Sequence, residues 1–106
     1  MDSKIDLTLK AIADSTRREI LDRLLNEKDE IGITKLSESF DISRQGVTKH
    51  LHKLEEAGLV KIKVNGRERY CVPNPKPLQE IKKWLTTYEK FWDRSLDSLQ
   101  KHLGER

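Results

Sequence analysis

Polar side chains that can read the edges of nucleic-acid bases lie close together near the middle of the chain. Arginine can bind guanine and glutamine can bind adenine, whereas serine, threonine and lysine suit phosphates or mixed roles. Apolar residues at positions 47, 51, 54 and 57 are three or four residues apart, which predicts an amphipathic helix of about 43–57. The polar residues expected on its outer face, toward its N-terminal end, are Ser43, Arg44, Gln45, Thr48 and Lys49.

Positive charge is concentrated on this helix and on the segment after it, which includes Lys63, Arg67 and Arg69. Between Ser43 and Arg69 there are seven basic and three acidic residues, a net charge of +4, although the whole chain carries only +3. The other 79 residues therefore sum to −1. A basic stretch alone is more often a solvated surface than a binding site. Its coincidence with a predicted helix and hairpin favours the neutralisation of phosphates.

The elements that must position this helix are predicted from apolar spacing and capping residues. Two helices of about 4–13 and 15–27 come first, and Asp14 is placed to cap the second. Thr34 is a candidate N-cap for a short helix, and Ser43 for the amphipathic one. Two helices joined by a tight turn form a helix-turn-helix, which we place at about 34–57.

A β-hairpin is predicted directly after Gly58, which ends the amphipathic helix because glycine adopts the left-handed conformation without steric cost. The segment LVKIKVNGRERYCVP is rich in β-formers around Asn65-Gly66, a pair that suits a two-residue turn. The sequence therefore predicts a wing of about 59–72. With that turn, Val64 is expected to face Arg67, Ile62 to face Arg69, and Lys63 to lie across from Glu68.

One long helix of about 78–103 is predicted after the prolines at 73, 75 and 77, because apolar residues continue at helical spacing. It would be roughly 39 Å long, whereas a domain of this size has a radius of gyration of about 13 Å. Its distal leucines, Leu96, Leu99 and Leu103, therefore need a partner. The simplest partner is the same helix of a second copy.

Composition limits the remaining function classes. The 106 residues form one domain, and the single cysteine excludes an internal disulfide and a thiolate-rich zinc site. No signal peptide and no run of about 20 apolar residues is present, so we expect a cytoplasmic protein with no membrane partner. No nucleophile elbow, phosphate-binding glycine loop or paired-carboxylate constellation is present. We therefore do not expect an enzyme.

Three segments resemble the ArsR/SmtB winged-helix repressors: ADSTRREIL at 13–21, ISRQGVTKHLHKLEEAGLV at 42–60 and GRERYCV at 66–72. The resemblance covers nearly the whole chain, and we expect residues 1–106 to form a single winged helix-turn-helix DNA-binding domain. It implies a mainly α fold with a small β-hairpin, that is, a winged helix-turn-helix with N-terminal and long C-terminal dimerisation helices. It also implies a homodimer that binds an inverted repeat in double-stranded operator DNA and represses its own or a neighbouring operon.

The resemblance assigns roles to residues as well. Recognition-helix contacts fall on Arg44, Gln45, Thr48 and Lys49, and wing contacts on the basic residues near Arg67. The dimer interface, built mainly from the first and last helices, is expected to include Ile5, Leu9, Leu85, Tyr88, Trp92, Leu96, Leu99 and Leu103.

The sequence departs from the metal-sensing members of this family. Gly32, Thr34 and Ser37 occupy the region where the arsenic type has cysteines, and the last helix has one histidine, His102, preceded by carboxylates that suit a tight zinc site poorly. We therefore expect no metal and no other cofactor. A small-molecule inducer stays open, and its identity is not readable from the sequence.

The sequence allows two interpretations of the role of several residues. Cys71 is expected to be a small buried hydrophobe rather than a redox switch. The aromatic group of Trp84, Tyr88, Phe91 and Trp92 is expected to be core or dimer interface rather than a small-molecule pocket. His50 either packs against the turn or contacts DNA, and Gly46 is expected to pack closely against the preceding helix.

Two other functions compete with specific DNA binding. A winged helix can act as a protein-interaction module without specific DNA binding, although the localised net charge of +4 argues against it. RNA binding usually uses exposed aromatic residues on a sheet, and the wing offers only Tyr70.

Overall fold

The computed structural model describes residues 3–104. The chain is mainly α-helical with a small antiparallel sheet, as the sequence predicts. In chain order the elements are α1 (Lys4–Ile12), α2 (Ser15–Leu25), β1 (Ile31–Gly32), α3 (Ile33–Ser37), α4 (Arg44–Glu56), β2 (Val60–Asn65), β3 (Glu68–Pro73), α5 (Lys76–Thr86) and α6 (Glu89–Gly104).

Side-chain caps determine where α2 and α4 begin. Asp14 Oδ1 accepts a hydrogen bond from the backbone N–H of Arg17 at 3.1 Å, and Ser43 Oγ accepts one from the N–H of Gly46 at 3.0 Å. Each cap satisfies an N–H group that has no partner within the first helical turn. The bond from Arg17 is also the main reason that the pKa of Asp14 lies below its ordinary value, because it stabilises the carboxylate. Both caps agree with the sequence prediction.

The short helix of the helix-turn-helix begins one residue before its predicted cap. Gly32 is the N-cap residue of α3, so Thr34 lies inside the helix and the prediction that Thr34 caps it is wrong. The reason is β1, which pairs with β3 and keeps the chain extended as far as Gly32. Ile33 can then start the helix with its side chain buried at 2% exposure.

The sheet has the strand order β1-β3-β2, and its β2–β3 hairpin is the wing. The loop consists of Gly66 and Arg67, one residue later than predicted, because Asn65 pairs with Glu68. Gly66 has a φ of +68° and no other residue of this turn has a positive φ, which suits a turn with glycine at its first central position. The predicted pairs are therefore wrong: Val64 lies opposite Arg69, Ile62 opposite Cys71, and Lys63 opposite Tyr70.

The core lies between α2, the helix-turn-helix and the inner face of the sheet. Its fully buried side chains include Ile20, Leu24, Leu36, Val47, Leu51, Leu54, Leu59 and Cys71. Cys71 is central in β3, and burial raises the pKa of its thiol to about 11. It is therefore neutral at physiological pH, which confirms the prediction of a small buried hydrophobe.

The predicted single helix of 78–103 is two helices, α5 and α6, separated by a turn at Thr87 and Tyr88. The N–H of Thr87 donates to Trp84 O at 3.1 Å and that of Tyr88 to Leu85 O at 3.0 Å, so both bonds span three residues instead of four. The Thr87 hydroxyl also donates to Trp84 O at 2.7 Å. Threonine hydroxyls compete for helix carbonyls and bend helices, which explains the break at this point.

The α5–α6 segment extends well beyond the rest of the domain. The described chain measures 64 × 32 × 24 Å and has a radius of gyration of 18.4 Å, compared with about 13 Å for a compact domain of this length. Ile81 on α5 is buried, but α6 contains no buried residue. The inference that the C-terminal apolar residues are uncovered in a single chain is confirmed.

Candidate nucleic-acid interface

The recognition helix α4 has one fully buried face and one polar face. Val47, Leu51 and Leu54 are 0% exposed and hold the helix against the core. Arg44, Gln45 and Lys49 are exposed, as are Ser43 and part of Thr48. All five residues predicted for this surface therefore lie away from the core.

The polar side chains of α4 divide into those that are bound by their own helix and those that are not. Ser43 Oγ caps the first turn, and Thr48 Oγ1 donates to Arg44 O at 2.9 Å. Within residues 3–104, the side chains of Arg44, Gln45 and Lys49 have no hydrogen-bond or ion-pair partner. These three can therefore bind a ligand without first breaking an internal contact.

Gly46 lies close to the residues of the turn. A Cβ at this position would lie 3.3 Å from Ser43 Oγ and 3.6 Å from Ile42 Cδ1. The close contacts thus come from the capping residue and the turn. The prediction that Gly46 packs closely against the preceding helix is wrong. The absence of a side chain leaves room for the capping hydroxyl beside the first turn.

The wing places two arginines at its tip. Arg67 lies in the loop and Arg69 on β3, and both are exposed. Lys63 is different, because its Nζ lies 3.4 Å from Glu30 Oε1, in the segment between α2 and β1. Glu30 therefore offsets part of the charge of Lys63. The sequence analysis does not predict this ion pair. Val64, the cross-strand neighbour of Arg69, is 70% exposed.

His50 is half-buried on the flank of α4 and contacts α2 rather than solvent alone. Its Nδ1 lies 3.4 Å from Nη1 of Arg17. The observed partner of His50 is thus Arg17 on α2, whereas the sequence analysis offers packing against the turn or a DNA contact. His52 is exposed and lies 3.7 Å from Glu55 Oε1.

A second surface is apolar and lies on α5 and α6. Six of the residues predicted for a dimer interface are 37–62% exposed: Leu85, Tyr88, Trp92, Leu96, Leu99 and Leu103. Ile5 and Leu9 on α1 are half-buried within the single chain, where α1 packs against α4 and α5. Trp84 and Phe91, 41% and 64% exposed, widen this surface beyond the predicted set.

The aromatic group forms a row along this surface. The rings of Trp84 and Tyr88 meet edge-on at 5.9 Å, and those of Tyr88 and Trp92 stack at 6.4 Å. A groove of about 810 Å³ lies elsewhere, between α1, the end of α4 and the start of α5, and other residues line it. The aromatic group is therefore an exposed surface and not part of the hydrophobic core.

Two further properties concern metal ions and membranes. Across residues 3–104 no three His, Cys, Asp or Glu side chains come together in a way that could hold a metal ion. No helix in the same range is both long enough and apolar enough to span a bilayer.

Comparison with known proteins relates this geometry to regulators of transcription. A family model described as a helix-turn-helix domain matches residues 12–63. The chain is 40% identical to the uncharacterized HTH-type transcriptional regulator YuzN of Bacillus subtilis over 92 residues, which cover 80% of this chain and 99% of YuzN. A crystal structure of an ArsR family transcriptional regulator superimposes with a TM-score of 0.76 and 28% identity, covering 86% of this chain and 98% of that one. The chain belongs to the ArsR/SmtB-like winged helix-turn-helix regulators. It is thus a DNA-binding transcriptional regulator and not an enzyme.

Two other similar proteins have informative names. This regulator is 32% identical to the transcriptional repressor SdpR of Bacillus subtilis over 87 residues, which cover 82% of this chain and 94% of SdpR. The homodimeric winged helix-turn-helix DNA-binding domain Mb0332 of Mycobacterium bovis, in a solution NMR structure, shares the fold of the regulator with a TM-score of 0.64 and 18% identity, over 81% of each chain.

Proposed function

We propose that this regulator is a homodimeric repressor that binds an inverted repeat in operator DNA in the cytoplasm and controls its own or a neighbouring operon. The observation that carries the proposal is the exposed polar face at the N-terminal end of α4, where Arg44, Gln45 and Lys49 have no polar side-chain partner within residues 3–104. In a helix-turn-helix the side chains at this end of the second helix enter the major groove and contact base edges. Arg44 and Gln45 have the functional groups for guanine and adenine, respectively.

The wing and the adjoining basic residues supply contacts that do not depend on sequence. Arg67 and Arg69 extend from the hairpin and suit the phosphates or the minor groove beside the half-site. Ser43, Thr48 and Lys49 suit phosphates at the entrance to the major groove. Lys63 contributes less to the free energy of DNA binding than an unpaired lysine would, because it must leave the carboxylate of Glu30 before it can contact a phosphate.

Dimerisation is supported by the apolar surface on α5 and α6. A continuous set of large apolar side chains is unusual on a monomeric protein and marks an interaction site. A second copy is the partner we propose, because a fold neighbour with the same architecture is homodimeric. In a two-fold dimer the two α4 helices are related by symmetry, so the DNA site is an inverted repeat with half-sites about one helical turn apart.

Repression is proposed from the similarity to SdpR and from steric reasoning. A dimer bound across a promoter excludes RNA polymerase from the same DNA. The described residues contain no metal-binding cluster, and a small-molecule inducer is compatible with the proposal but not needed for an autorepressor.

The test is selection of genomic fragments from the source organism by the purified protein at physiological salt. We expect sequencing to show enrichment of fragments that share one inverted repeat. Gln45→Ala is the variant of interest and Gln100→Ala, far away on α6, is its control. The control should recover the same repeat and Gln45→Ala a degenerate one. Retention of DNA without sequence preference that disappears as salt is raised would contradict the proposal and favour a protein-interaction module.

A further inference from the structure

Arg17 on α2 connects the recognition helix α4 to α1, the helix that packs beside it. Its Nε donates to Ala11 O at 2.6 Å and its Nη2 to Lys10 O at 3.2 Å, so two groups of one guanidinium bind the C-terminal end of α1. Its Nη1 lies 3.4 Å from Nδ1 of His50 on α4. One side chain of α2 thus contacts two other helices.

The geometry of these contacts is fixed by the donors of the Arg17 guanidinium and by the acceptors on α1 and His50. The carbonyls of the last helical turn lack the usual partner four residues later. Arg17 supplies donors to Ala11 O and to Lys10 O, and Lys10 O also accepts from the N–H of Ala13 at 3.4 Å. A guanidinium has donors only, so in this contact Nδ1 of His50 is the acceptor. The planar guanidinium fixes all three directions at once. A lysine at this position would provide charge without that geometry.

His50 lies about 100–140° around α4 from the proposed DNA-reading side chains Arg44, Gln45 and Lys49. Its neighbour Leu51 and the residue one turn earlier, Val47, are both 0% exposed. On a helix with 3.6 residues per turn, Thr48 lies on the opposite flank from His50. Arg17 therefore contacts α4 from the side of α1.

We propose that Arg17 is a positioning residue that fixes the recognition helix relative to α1, and hence fixes the distance between the two recognition helices of the dimer. This inference rests on the proposed function, in which α1 and α5–α6 hold the two copies together and α4 reads DNA. Each base pair changes the separation of half-sites by about 3.4 Å along the DNA axis. A dimer with rigidly held α4 helices therefore accepts one spacing and rejects its neighbours.

The chain provides a matched control in the adjacent residue. Arg18 Nη1 donates to Ile12 O at 2.7 Å, so Arg18 binds the same end of α1 as Arg17. No hydrogen bond or ion pair joins the Arg18 side chain to α4 within residues 3–104. Arg17→Gln and Arg18→Gln remove the same charge and the same kind of cap, but only the first removes a contact with the recognition helix.

The experiment compares two DNA duplexes: the inverted repeat recovered by selection and the same repeat with one base pair inserted at its centre. For the wild type and Arg18→Gln we expect the same ratio of affinities for the two duplexes. For Arg17→Gln we expect this ratio to fall about tenfold, a typical size of coupling between linked sites. The affinity for random DNA should fall equally in both variants, because each loses one positive charge.

A role of Arg17 in stability alone would lower the melting temperature and leave the spacing ratio at its wild-type value, which would overturn the inference. If Arg17→Gln does not fold, His50 provides the same test from the other end of the contact. His50→Asn keeps an acceptor near the position of Nδ1, and His50→Leu removes it. We expect loss of spacing selectivity in His50→Leu only, and equal ratios in the two variants would overturn the inference. If the wild type binds no symmetric site, the proposed function fails before Arg17 is tested.

Discussion

Leu99→Glu tests the dimer surface at a residue that contributes little to the single chain. Leu99 is 55% exposed, so its replacement should change the stability of an isolated chain by no more than about 0.5 kcal/mol, as for other surface substitutions. Full burial of a leucine is worth about 1.5–3 kcal/mol. Covering the exposed half of Leu99 in a symmetric dimer therefore contributes about 2 kcal/mol over the two copies.

A glutamate at this position adds a second cost. Two carboxylates must either be desolvated without partners or hold the helices apart, which costs at least about another 2 kcal/mol. The total of about 4 kcal/mol corresponds to a dimer dissociation constant raised about 1000-fold. Binding to the inverted repeat should weaken in parallel, because a monomer engages one half-site only.

Sedimentation equilibrium over a range of protein concentrations measures the effect. Gln100→Glu is the matched control: it changes the charge by the same amount on the adjacent residue, which points about 100° away around the helix. We expect Gln100→Glu to remain dimeric and Leu99→Glu to be monomeric with an unchanged circular dichroism spectrum. Dimers of Leu99→Glu at the concentrations where the wild type is dimeric would show that the interface lies elsewhere.

Three further predictions concern the DNA surface and the core. Arg44→Ala and Gln45→Ala should each relax base preference at one position of the half-site, by about 1–3 kcal/mol of discrimination; equal losses on specific and random duplexes in binding titrations would refute base contacts. Lys63→Ala should weaken binding to all sequences alike and reduce the salt slope, whereas Glu30→Gln should strengthen binding to random DNA; the opposite sign for Glu30→Gln would contradict the role of this ion pair. Burial raises the pKa of Cys71 from 9.0 to about 11, so the unfolded chain loses this proton first as pH rises. The free energy of unfolding should be unaffected below pH 8 and fall by about 2–3 kcal/mol between pH 9 and 11; urea titrations in which Cys71→Ala shows the same fall as the wild type would disprove the link.

Local signals account for the part of the fold that the sequence predicts. Asp14 and Ser43 cap helices through bonds to residues three positions away, and the buried face of α4 follows from apolar residues three and four apart. These interactions depend on neighbours along the chain, so their residue types predict them. The polar face of α4 was predictable for the same reason, since a buried stripe fixes which side is exposed.

The features that the sequence does not predict depend on distant partners or on competition between similar local bonds. Arg17 and His50 are 33 residues apart, as are Glu30 and Lys63, so no spacing rule connects them. The observed hairpin loop lies one residue later than predicted, because both Asn65-Gly66 and Gly66-Arg67 contain the glycine that a two-residue turn favours. The break at Thr87 interrupts a continuous apolar pattern, because a threonine hydroxyl competes for a backbone carbonyl without changing the hydrophobic period.

The α4 helix is anchored to the domain, but its proposed DNA-contacting side chains have no partners of their own, and this difference bears on the role of the proposed dimer in DNA binding. The frame of the helix is held by the Ser43 cap and by Arg17 through His50, but Arg44, Gln45 and Lys49 have no partner among the described residues. Ordering each of these long side chains on DNA costs about 1–2 kcal/mol of conformational entropy. One half-site with three such residues is therefore a weak ligand. In the proposed dimer, binding to the second half-site is intramolecular, which raises the overall affinity by about 10²–10⁴ without a new contact. On this proposal, sequence-specific binding depends on the apolar surface of α5 and α6 as much as on α4.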